Sequence, residues 1–198
     1  GETPPEEIYA YWTRMLHRCY NPEEILKNRG RWYVYVEVHK DWFNFQNFAE
    51  WVIKQPNWNC KYELDKDLLG TGYEYSPESC TFLPEDVNVF LAETAYKPVH
   101  DLPIGVQYIK PATKGAKTGY VSRCHIESGR KYLGYFDDPI EAHLAYKKEK
   151  EAFAKRLAEK YKHTLTARAY EALSSYTLRN TYAPDISSCI NDIIKGVK

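Results

Sequence analysis

The sequence predicts an α+β protein of two modules: a strand–loop–strand–helix unit, then a three-stranded antiparallel sheet packed on one long helix. Three observations predict it. Runs with helical and with strand periodicity follow one another along the chain in that order. The charge splits, with 10 Lys and Arg against 16 Asp and Glu in residues 1–98 and 17 against 11 in residues 99–198, although the whole chain is neutral. A stretch without apolar period, containing Pro98, His100 and Pro103, falls where the sign changes. Domains are therefore expected at 1–97 and 103–162, with a linker at 98–102 and a C-terminal helix and tail over 163–198.

A chain of 198 residues, 43% hydrophobic and 15% aromatic, can bury a core, which excludes disordered and collagen-like classes. No apolar run approaches the roughly 18 residues that cross a bilayer. The first residues are acidic and prolyl instead of basic and then apolar, so no signal peptide is expected. Five cysteines without a CxxC pair indicate neither a disulfide framework nor a zinc ribbon, and a reducing cytoplasm is the expected location.

Thr3, Pro4, Pro5 and Glu6 open a helix running to about Cys19, with Ile8, Tyr11, Trp12, Met15 and Cys19 on its apolar side. Trp32 to Val38 is β-branched and aromatic and predicts a strand. Trp42, Phe45, Phe48, Trp51 and Val52 recur at steps of three and four, so they form the core stripe of a helix that stops before Pro56. Short strands are expected at 61–67 and 80–83 around a Gly-containing loop, then a helix from Pro84 to about Thr94. Beyond the linker, strands at 105–110, 119–126 and 130–136 are joined by a Lys/Gly/Thr loop and a tight turn at 127–129. Asp137 or Asp138 caps a long helix whose inner face is Ala142, Ala145, Tyr146, Glu149, Phe153 and Leu157. A last helix is expected over 166–176, and Ile186, Ile190, Ile193 and Ile194 make a weakly apolar tail.

Residues 110–131 carry Lys110, Lys114, Lys117, Arg123, Arg130 and Lys131 against a single Glu127, a basic stretch inside a neutral chain that charge alone reads either as a solvated sheet face or flexible loop or as a polyanion site. Gly105-Val106, Tyr120-Val121-Ser122-Arg123 and the run from Tyr132-Leu133-Gly134-Tyr135-Phe136 through Asp137-Asp138-Pro139-Ile140-Glu141-Ala142 to Ala145-Tyr146 resemble the AP2 DNA-binding domain. The resemblance covers about residues 103–160. It implies a three-stranded sheet lying in the DNA major groove with the helix behind it. Alternation puts Ser122, Cys124 and Ile126 on one face and Arg123 and His125 on the other, with Arg130 and Tyr132 opposite to Lys131 and Leu133. Arg123, His125, Arg130 and Tyr132 are thus expected to face double-stranded DNA, and Lys110, Lys114 and Lys117 to hold phosphate.

The acidic half resembles phage HNH-like proteins that carry an AP2 domain, through Tyr11 to Met15, Arg18-Cys19-Tyr20, the Trp42 to Trp51 helix, Leu64 to Asp67, Tyr75 to Cys80 and Asn88. For HNH, or His-Me finger, nucleases this implies a ββα fold in which an Asp and a final His or Asn hold one divalent metal such as Mg²⁺. Asp65 stands at the metal-binding Asp and Asn88 at the final ligand, but Lys66 stands where the general-base His belongs and Ser79 at the middle Asn. A protonated lysine takes no proton from water, and loss of a general base costs about 10²–10⁴ in rate. The expected function is therefore a phage-type double-stranded DNA-binding protein built on a degenerate HNH domain, acting in the bacterial host cytoplasm. Its rivals are a metal-dependent nicking endonuclease and an interaction protein that blocks a host factor through the acidic half.

Overall fold

The computed structural model describes residues 5–26, 31–94, 102–110 and 118–178. The linker expected at 98–102 lies outside them except for Leu102, as do Lys114, Lys117 and the isoleucine tail. The described residues form an α+β protein in two compact units: residues up to Asn88 with His163–Ala172, and Val89–Lys162 with the stretch from Leu173.

In the first unit, α1 (Glu6–Tyr20) buries Ile8, Met15 and Cys19 at the expected helical spacing, and α2 (Pro22–Leu26) follows. A 3₁₀ turn over Arg31–Tyr35 replaces most of the strand expected at 32–38, of which β1 (Glu37–Val38) alone is extended. The cause is a missing partner. The strand beside β1 is β3 (Glu74–Tyr75), paired in parallel over two residues, so the preceding backbone bonds to itself, with the Val36 N–H donating to the Tyr33 carbonyl at 3.0 Å. A second 3₁₀ turn, Lys40–Phe43, carries the buried Trp42. Asn44 then caps α3 (Phe45–Ile53) by accepting the Gln46 N–H at 2.9 Å, so the stripe read as one helix is a turn and a capped helix. Trp42, Phe48 and Val52 sit in one core with Leu64, Tyr75 and Phe82.

Strand β2 (Glu63–Asp65) pairs antiparallel with β4 (Thr81–Leu83), and α4 (Glu85–Thr94) starts two residues later, the cut between the units falling within it. Helix α6 (Ala167–Ser174) returns most of its length to the first unit. Asn57 Nδ2 donates to the carbonyls of Phe82 (3.1 Å) and Thr164 (3.0 Å), and Arg168 donates to the Glu78 carbonyl at 2.8 Å.

The second unit is a sheet of β5 (Val106–Ile109), β6 (Gly119–Ile126) and β7 (Gly129–Phe136) in that order, all antiparallel, packed on α5 (Pro139–Lys160). The Asp138 side chain caps α5 by accepting the N–H groups of Ile140 (2.5 Å) and Glu141 (3.3 Å). Gly105, at φ +82°, lets the Tyr146 ring press against the chain where a Cβ would overlap it. The inner face of α5 departs from the expected stripe: Glu149 bonds Lys131 and Arg156 at the surface (2.8 and 2.9 Å), and Lys150 is fully buried with its Nζ 4.4 Å from the Phe90 ring centroid. Lys150 continues the spacing of Tyr146, Phe153 and Leu157, and the long methylene stem of lysine allows it to fill an apolar position.

Candidate functional site

Two places hold the residues singled out by sequence. The first is the corner at the end of β2. Asp65, fully buried and paired across the sheet with Thr81, accepts the backbone N–H groups of Asp67 (3.1 Å) and Leu68 (2.8 Å) on one oxygen. That is an Asx turn, which closes the loop leaving the strand. Burial pushes the Asp65 carboxyl up to about 7 and the neighbouring Asp67 adds to the rise, against the pull of the Leu68 N–H and of the Lys66 ammonium. A carboxyl near neutrality has the proton affinity a general base needs. Its exposure is 3%, so no substrate reaches it.

Lys66, where the resemblance implies a base, is 6% exposed. Its Nζ donates to Asp67 at 2.8 Å and lies 5.3 Å from the Tyr33 ring centroid and 5.7 Å from that of Tyr75. Burial works against its charge, but Asp67 and the surrounding hydrogen bond hold the ammonium above its ordinary range, so it stays protonated. Ser79 is equally committed. Its Oγ donates to the Glu74 carbonyl at 2.7 Å and accepts the Ser76 N–H at 3.0 Å, tying the turn before β4. Gly70 packs against it so closely that a Cβ there would meet Ser79 Cβ at 2.7 Å. Asn88, half-buried on α4, donates its backbone N–H to Pro84 at 3.0 Å.

One Asp65 oxygen, Oδ1, is taken by two N–H groups, and the Lys66 ammonium beside it opposes a second cation. Among the described residues no three His, Cys, Asp or Glu side chains cluster to hold a metal.

The second place is the open face of β5–β6–β7. Cross-strand partners share a face, so the pairs Arg123 with Tyr132 and His125 with Arg130 place all four side chains together. The other face carries Cys124 and Ile126 into the core with Tyr146, and Lys131 toward Glu149 of α5. His125, Arg130 and Tyr132 are exposed, Tyr132 at 57%. Arg123 is half-buried, its Nη1 donating to Gln107 Oε1 at 2.7 Å. Lys110, exposed, follows the end of β5.

A bulge sets the rest of this face. Ser122 pairs with Gly134 and Arg123 with Tyr132, so Leu133 is skipped and turns into the core, and Gly134 takes φ +140°. Tyr135, opposite Val121, is thereby returned to the side of Tyr132, which strict alternation forbids. Its phenol lies over Gly119, where a Cβ would overlap it, and the side chain is 38% exposed. Gln107 and Tyr135 therefore join the face that sequence alternation assigned to four residues. Gln107 was legible from alternation along β5, and the local signal for the bulge was Gly134, an isolated glycine inside a strand pattern. None of the residues in the three strands is acidic.

No protein-family model matches the chain, and no curated protein and no solved structure matches it either.

Proposed function

We propose that this chain is a double-stranded DNA-binding protein of phage type, in which the second unit lays β5–β6–β7 in the major groove and the first is a nuclease-like scaffold without catalytic chemistry. The observation that carries the reading is the open sheet face. It presents Arg123, His125, Arg130, Gln107 and two tyrosines, with no acidic side chain from its strands, while its other face is sealed by α5. A sheet of this width enters a groove about 12 Å across, where arginine forks pair with guanine O6 and N7. Lys110, exposed just after β5, is placed to neutralise phosphate, and Lys114 and Lys117 follow it in sequence.

The likeness of the motifs to an AP2 domain agrees with the order of three strands and a helix, and the likeness to HNH proteins with the order β2, β4, α4. Against the endonuclease alternative stand the burial of Asp65 and the commitments of Lys66 and Ser79. Nothing there activates water.

The test is a mobility-shift titration of the full chain on duplex DNA at several salt concentrations, with and without Mg²⁺. Binding that weakens steeply with salt and is indifferent to Mg²⁺ is expected, because phosphate neutralisation releases counterions. Absence of binding, or cleavage of the duplex only when Mg²⁺ is present, overturns the reading.

A further inference from the structure

We infer that Gln107 is a positioning residue that presets the Arg123 guanidinium for one guanine, so that sequence preference is set by a pair spanning β5 and β6; the inference rests on the DNA-binding reading above. Gln107 stands opposite Val121, and Arg123 is two residues further along β6. Such diagonal neighbours are about 7–8 Å apart at their backbones, within reach of two long side chains. The contact is made: Arg123 Nη1 donates to Gln107 Oε1 at 2.7 Å.

Arginine has donors only, so the amide must turn its oxygen toward Arg123. With that oxygen committed, Gln107 has lost the free donor–acceptor pair by which an amide reads adenine, and what it does is hold. One of five guanidinium N–H bonds is used, which leaves a free fork for guanine O6 and N7. Arg130 and His125, on the same face and more exposed, have no such anchor among the described residues. A side chain ordered before binding loses less freedom on binding, and for one long side chain this amounts to about a three- to tenfold gain.

The test selects bound duplexes from a random-sequence pool with the full chain and with Arg123→Ala, Gln107→Ala and Gln107→Glu, each checked by thermal melting. The parent should enrich a site with one guanine that Arg123→Ala no longer distinguishes. Gln107→Ala should lower the preference for that guanine about three- to tenfold, by more than it lowers affinity for unrelated duplex, and Gln107→Glu, whose carboxylate can occupy the arginine fork itself, should not restore the preference. An unchanged preference in Gln107→Ala, a uniform loss on every duplex, or a lowered melting temperature overturns the positioning role while leaving the DNA-binding reading intact. A parent chain that retains no duplex removes both.

Discussion

The corner at the end of β2 and the open face of β5–β6–β7 are both rich in polar side chains, but they use them in opposite ways. In the corner Asp65, Lys66 and Ser79 are buried and bonded within the chain: Asp65 by two N–H groups, Lys66 by Asp67 and two aromatic rings, Ser79 by the turn it closes. On the open face of the sheet the groups are turned outward, and of Arg123, His125 and Arg130 only Arg123 carries a side-chain anchor among the described residues. Buried polar groups that are fully paired specify structure, whereas exposed ones with unused donors are available to a ligand. Position in a motif therefore does not decide chemistry; the bonds already made do.

The comparison can be broken most directly at its exposed end. Replacing both Arg123 and Arg130 by alanine should weaken duplex binding by roughly 2–6 kcal/mol, the loss of two base-reading contacts, with no change in thermal unfolding. Titration by mobility shift and a melting curve check it, and an undiminished affinity would mean the sheet is not the contact.

Somewhat smaller is the effect of Gly105→Ala. The backbone there is left-handed and a methyl group overlaps Tyr146, so the second unit should lose about 2–4 kcal/mol of stability, read from denaturant unfolding. Wild-type stability after this change would show that the sheet does not depend on that close approach.

Asp65→Asn sharpens the buried end. The carboxyl is raised in the folded chain, so it favours folding most at pH below the ordinary carboxylate range, and that contribution is lost as pH rises through about 7. The native protein should therefore be more stable near pH 5 than near pH 7 by on the order of 2 kcal/mol from this group. Asparagine keeps the acceptor oxygen for Asp67 and Leu68, and should flatten that part of the pH profile in melts of the full chain. An unaltered profile would place the titration elsewhere.

The smallest expected effect is none. Lys66→His restores an imidazole but frees neither the Asp65 carboxylate nor the Ser79 hydroxyl, so plasmid nicking in Mg²⁺ should stay at background. Robust nicking by this variant would show that the corner opens, and would revive the endonuclease alternative.

What was legible in the sequence is what periodicity and capping govern. The stripe of α1, the cap at Asp138 and the three strands beyond residue 103 follow from local pattern, because in each the chain's neighbours along the sequence decide the outcome. Residues 31–35 were misread because β-branched and aromatic residues favour a strand only where a partner strand exists, and β3 is two residues long. Tyr135 was missed because a bulge resets alternation, and Lys150 because its charge hides a stem that packs like an apolar residue. Motif position marked Lys66 and Ser79 for attention, but burial and bonding emerge only when Tyr33, Asp67, Ser76 and Gly70 are brought to them in space.

The return of residues 163–172 to the first unit bears on how the protein is made. Asn57 bonds to Thr164 across more than a hundred residues of chain, and the whole of residues 89–162 is synthesised between the two parts of that unit. At translation speeds of about 5–20 residues per second, the N-terminal part waits roughly 4–15 s after its own synthesis before its last helix is available. During that interval the Glu78 carbonyl lacks the Arg168 guanidinium and Asn57 Nδ2 lacks the Thr164 carbonyl, which α6 and its approach bring into place. Nascent chains stalled before residue 163 should therefore be the protease-sensitive and chaperone-bound species, and in them the second unit too still lacks Tyr176 and Leu178, which pack into its core.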